Sequence, residues 1–223
     1  MDVLFFLKER TRLIAQYYEL ATQPFTETIR KIDAEEDPFI PQHSEHAEPA
    51  FVTEWIEATE MLEITGRSCV SMLSASLQLY FRTWERELGI SCSSEFGPTF
   101  KREGLIGGYR HCFATWLGID WSTCPADLEI IEQVVLARNR DQHPENITTV
   151  RATHADKDWR RFSRPFFMDE RELDLLDDND GSQTLMSPSL HVPRDKLMIA
   201  VEQVEVLCEW LEGLMFQVKY PPR

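Results

Sequence analysis

A chain of 223 residues, 43% hydrophobic and 11% aromatic, can bury one substantial core and is too apolar to be a disordered chain. Its 38 acidic against 23 basic residues give a formal charge of −15, so the average field repels nucleic acid and anionic membranes; a polyanion must be met by a local basic patch. Five cysteines, Cys69, Cys92, Cys112, Cys124 and Cys208, are odd in number, scattered and without a C-x-x-C pair, and read as reduced thiols of a cytoplasmic protein.

The apolar run Val3-Leu4-Phe5-Phe6-Leu7 is too short for a secretion signal, and no stretch approaches the ~20 apolar residues of a membrane span. No membrane association is expected. His111, Cys112 and Cys124 match no zinc spacing, and His43 with His46 lack a companion ligand, so neither a metal nor another cofactor is expected.

Residues 2–23 carry Leu4, Leu7, Ile14, Tyr18 and Ala21 at helical spacing, and Phe25, Ile29 and Ile32 continue it beyond Pro24. This is one kinked helix or two short ones. With the acidic, proline-containing loop of residues 33–48 it makes an N-terminal helical arm, 1–48, that packs on the main bundle or on a second subunit.

From Pro49 the pattern Phe51, Trp55, Ala58, Leu62, then Leu73, Leu77, Tyr80, Trp84, Leu88, predicts a long helix, or two hinged near Gly66, that stops at Gly89. Ser68, Ser71, Ser74 and Ala75 offer a small-residue surface to another helix. A connection over 90–104 leads to a helix with Tyr109, Phe113, Trp116 and Leu117, closed by Gly118. Pro125, Asp127 and Glu129 open the next helix, 128–143, with carboxylates complementing its N-terminal dipole.

On that helix Leu128, Ile130, Ile131, Val134 and Val135 form an apolar arc, and Arg138 falls inside it. A guanidinium so placed needs a carboxylate, a carbonyl or an anionic ligand. Pro144 ends the helix at His143. Residues five apart on a continuous helix diverge by about 140°, so Arg138 and His143 share a site only where the last turn unwinds.

Residues 144–192 form an irregular insertion. From Arg138 to Arg164 the net charge is +3; from Asp169 to Asp180 seven acids face Arg171 alone. Ile147 to Val150 and Trp159 to Met168 suggest a small hairpin, and the acidic part a mobile loop. The two blocks either neutralise each other, or the basic part, with Arg140, Arg151, Arg160 and Arg161, lines a phosphate-binding cleft. The last helix starts near Pro193 with Leu197, Val201, Val204, Cys208, Leu211, Met215 and Val218 alternating four and three apart, as in a core or dimer helix.

The segment Arg138-Asn139-x-x-x-His143 at the end of an amphipathic helix in an all-α chain resembles the R-x(4–6)-H motif of the HEPN superfamily. The resemblance implies a HEPN-like helical bundle over 49–223, with the N-terminal arm before it and the insertion ahead of the last helix. Active members of that superfamily are metal-independent endoribonucleases whose site is commonly shared across a homodimer.

Carried over residue by residue, Arg138 holds the scissile phosphate, His143 transfers a proton and Asn139 orients one of them, while Asp141 receives no role. Attack by the RNA 2′-hydroxyl needs a base, an acid and positive charge at the phosphate. Histidine and arginine supply these. A second reading is a non-catalytic HEPN-like module that dimerises or binds a partner, such as an antitoxin or regulator, in a defence or toxin system. It fits the −15 charge, which weakens nonspecific RNA affinity.

Overall fold

The computed structural model describes residues 2–41, 49–144, 150, 152, 162, 164–169, 172 and 189–221. Among them the chain is an all-α bundle without a β-strand, and no helix is long and apolar enough to cross a membrane.

Helix α1, Val3–Asp33, starts at Asp2, whose Oδ1 accepts the Phe5 amide at 2.9 Å, and carries Arg30 and Lys31 in its last turn. It runs unbroken through Pro24, which is exposed, so the carbonyl that proline deprives of a donor can turn to water. Val3, Leu7, Ile14 and Tyr18 join the same core as the other helices, so α1 packs on the main bundle.

Helix α2, Val52–Leu88, is the longest element and packs against α1 and against two later helices, Leu128–Gln142 and Arg194–Lys219. It stays continuous through Gly66, contrary to a hinge there. A Cβ at Gly66 would run into the backbone carbonyl of Val192, so glycine serves close approach rather than bending. The helix ends at Gly89 in the left-handed conformation, φ +67°.

A short helix α3, Cys92–Glu95, leads into α4, Gly97–Leu117, which is broken at Gly104 (φ +76°, ψ −172°) and closed by Gly118 at φ +66°. A disulfide joins Cys92 to Cys112 across a Cα–Cα distance of 5.5 Å. These two are therefore not the reduced thiols expected, because the turn between α3 and α4 folds them together; Cys69, Cys124 and Cys208 are free. The cytoplasmic expectation loses the support it drew from the cysteines.

A 3₁₀ turn, Trp121–Thr123, precedes α5, Leu128–Gln142, whose N-cap Asp127 accepts the amides of Glu129 and Ile130 at 2.9 and 3.2 Å. The final helix α6, Arg194–Lys219, buries Leu197, Ala200, Val204, Leu207, Cys208, Leu211 and Met215. It is a core helix. Val218, the last residue of the expected stripe, is exposed, because a strict seven-residue repeat drifts off one face of a 3.6-residue helix.

The expected hairpin and the acidic loop lie mostly outside the described residues. The described part of the insertion is irregular, with Phe162, Phe167 and Met168 buried.

Two outcomes follow from these contacts. Gly66→Ala should lose about 1–3 kcal/mol of stability in urea unfolding despite a better helix propensity, because the methyl meets backbone; an unchanged midpoint would contradict the close approach. Thiol titration in denaturant should find the three free cysteines before reduction and all five afterwards.

Candidate functional site

Pro144 cannot extend the α5 ladder, and His143 leaves the helical region at φ −133°, ψ 61°, while its amide still donates to the Asn139 carbonyl at 3.0 Å. The last turn of α5 therefore stays closed. His143 is exposed, and its imidazole makes no hydrogen bond or ion pair with the described residues.

Arg138 is half-buried and Nη1 donates to the Asn139 side-chain Oδ1 at 3.0 Å. The Asn139 amide oxygen thus holds one edge of the guanidinium. No hydrogen bond joins Arg138 to His143 among the described residues.

The deeply buried guanidinium of α5 is not Arg138 but Arg140, only 2% exposed. The apolar arc alone did not account for a second cover on this helix. The insertion packs over Gln133 and Ala137: Gln133 Oε1 accepts the Phe166 amide, and Ala137 lines a small hollow with Ala152, Phe162 and Phe167. Arg140 lies on that covered side, so the expectation that it faces an RNA backbone is corrected. Arg151, Arg160 and Arg161 lie outside the described residues.

Asp141, given no role from the sequence, ties the end of α5 to α2. Its Oδ2 accepts from Ser71 Oγ at 2.8 Å, and its Oδ1 lies 3.8 Å from Arg67 Nε, both on α2. Arg67 Nη1 lies 3.8 Å from Glu63 Oε2, and Glu63 Oε1 accepts from His191 Nδ1. A chain of alternating charge thus runs from the end of α5, along one side of α2, to the segment before α6.

Nothing in local sequence links these positions. His191 is 128 residues from Glu63, and only the spacing of Glu63, Arg67 and Ser71, four apart on one side of a helix, hinted at a shared polar edge.

Beside this chain opens a cleft of about 470 Å³, lined by Glu60, Glu63, Arg67, Asp169, Glu172 and His191 among others. Among its described lining residues four carboxylates face one arginine and one histidine, an acidic balance. It is not the basic phosphate cleft expected, and Arg138, Asn139 and His143 do not line it. Among the described residues no group of three or more His, Cys, Asp or Glu side chains is placed to hold a metal ion.

The Glu63 carboxylate raises the His191 pKa above the ordinary histidine value, outweighing the burial that lowers it. A raised folded-state pKa makes the pair stabilising below the ordinary value of about 6.5, and that contribution disappears as pH rises through the folded pKa.

Compared with protein-family models, curated proteins and solved structures, the chain matches none. The geometry of the motif therefore carries the functional reading by itself.

The His191 ring proton resonances, followed by NMR, should titrate above the ordinary histidine midpoint, and Glu63→Gln should move that midpoint down. An unchanged midpoint would show that the carboxylate does not hold the ring in solution.

Proposed function

We propose that this chain is a metal-independent endoribonuclease of HEPN type, cleaving RNA by attack of the 2′-hydroxyl at a site that two copies complete. The observation that carries the reading is the end of α5, where a solvent-facing imidazole with no partner among the described residues follows an arginine steadied by its own neighbour. A guanidinium has five N–H donors, and one of them serves Asn139. Among the described residues no other hydrogen bond of Arg138 is seen, and the remaining donors are the ones offered to the phosphate.

In this mechanism Arg138 binds the non-bridging oxygens and stabilises the charge that builds on phosphorus as the 2′-oxygen attacks. His143 takes the 2′-hydroxyl proton or protonates the departing 5′-oxygen, because an imidazole carries one ring nitrogen that accepts a proton and one that donates it. One chain supplies a single motif histidine, and with the last turn closed its Arg138 and His143 diverge, so a two-fold pair would provide both the acid and the base and set the arginine of one copy beside the histidine of the other. Asp141 is a positioning residue: anchored to Ser71 and Arg67, it holds the last turn of α5 against α2 while Arg138 and His143 remain available.

The acidic cleft and the −15 charge favour a second reading, a partner-binding module in which the motif only closes a helix. The contact between Arg138 and a phosphate is an attraction between opposite charges at a half-exposed site, so cleavage should weaken as rising salt screens it.

Incubation of the full chain with structured RNA in EDTA separates the two. Cleavage that persists under chelation and drops by at least roughly a hundredfold in both His143→Ala and Arg138→Ala is the expected result, given the contributions of proton transfer and oxyanion stabilisation. Intact RNA at every salt concentration, or cleavage unaffected by both substitutions, would leave only the binding module.

A further inference from the structure

We propose that the exposed apolar face formed by α1 and α2 is the surface through which two copies of this chain associate. On α1, Phe6, Arg10, Leu13, Tyr17 and Leu20 recur four and three apart, about 100° round the helix from its core positions Leu7, Ile14 and Tyr18. Phe6, Leu13, Tyr17 and Leu20 are 56, 53, 48 and 63% exposed, and on α2 Met72 and Leu79, seven residues apart, are 38 and 49% exposed.

The two helices run antiparallel. Arg10 Nε donates to Ser76 Oγ at 3.2 Å, Cys69 Sγ lies 4.0 Å from the Ile14 carbonyl, and Val3 lines the same hollow as Thr83 and Arg86. Along their seam lie two hollows of about 380 and 350 Å³, both bordered by Arg10, Leu13 and Ser76. An apolar ridge thus stands beside an apolar groove on one face, the arrangement that lets a two-fold axis place the ridge of each copy in the groove of the other.

Area supports a second copy as the occupant. Side chains of this size, half exposed, each show on the order of 100 Å², so the six give roughly 600 Å² per copy, at the upper end of what monomers expose. With a polar rim this approaches the ~800 Å² per partner of a stable interface.

Charge supports it too. Two chains of formal charge −15 repel on average, yet Arg10 and Arg86 outnumber Glu9 around this groove, so like-charge repulsion is weakest here. Glu9 of one copy and Arg10 or Arg86 of the other offer opposite signs at the edge.

The face also has a fixed relation to the motif. Ser71 of α2 holds Asp141 at the end of α5, Ser76 holds Arg10 of α1, and Met72 lies between them on the helix. A copy seated on Met72 is therefore flanked by α1 on one side and by the motif helix on the other. The interface stands without the RNA-cleaving reading, because its readout is mass rather than cleavage.

Sedimentation equilibrium of the full chain at micromolar concentrations should give twice the 26.1 kDa of one chain. Leu13→Glu combined with Met72→Glu should raise the dissociation constant at least roughly a hundredfold, since buried unpaired carboxylates oppose association, while circular dichroism stays unchanged. Trp116→Glu, at an exposed apolar residue on α4, should leave the dimer intact. A wild-type chain that sediments as a monomer overturns the proposal, as does a dimer indifferent to the Leu13 and Met72 charges. A dimer that responds as expected, in a protein that cuts no RNA, upholds the interface and removes the nuclease.

Discussion

The rest of the structure depends on one unbroken apolar stripe of α2 held against three other helices. Cys69, Val70, Leu73, Leu77, Tyr80, Phe81 and Trp84 are all 2% exposed or less. Fully burying a large apolar side chain is worth ~1.5–3 kcal/mol, so the stripe outweighs anything the polar flanks contribute. The flanks decide rotation instead. Ser76 meets Arg10 of α1 on one side, Ser71 meets Asp141 of α5 on another, and the Tyr80 hydroxyl and Trp84 indole lie 2.9 and 3.0 Å from Glu212 of α6.

The Glu212 contact shows how such a flank becomes specific. A carboxylate only 8% exposed in an apolar core is tolerated because two ring donors aim at it. Tyr80 has a single hydroxyl proton and a second acceptor, the Cys208 carbonyl, also at 2.9 Å, so the proton serves one acceptor at a time. Burial holds the Tyr80 hydroxyl well above its ordinary pKa and keeps it a donor. This locks the register of α6 on α2 and, through Gly66 and Val192, the path of the segment that delivers His191.

The same logic explains the division of labour at the end of α5. The motif is fastened by its acidic member, Asp141, to an arginine and a serine, whereas among the described residues Arg138 bonds only its neighbour Asn139 and His143 bonds no side chain. Anchoring through the carboxylate suits an acidic protein, where cations are the scarcer resource. The charge chain beyond it, through Arg67 and Glu63 to His191, ties the motif helix to the entrance of α6.

The sequence by itself determined the helices and most of their ends, because apolar periodicity, an N-cap aspartate, left-handed glycines and Pro144 act within a few residues. It also singled out Arg138, Asn139 and His143, since a cation inside an apolar arc beside a helix-ending proline is a local pattern. Only the tertiary structure decided which arginine is buried: Arg140 rather than Arg138, because the insertion covers a side of α5 that periodicity cannot reveal. The same holds for Cys92 with Cys112, for the reason behind Gly66, and for the path from Asp141 to His191. Each depends on segments that meet only after folding, and no spacing along the chain encodes which faces they turn toward one another.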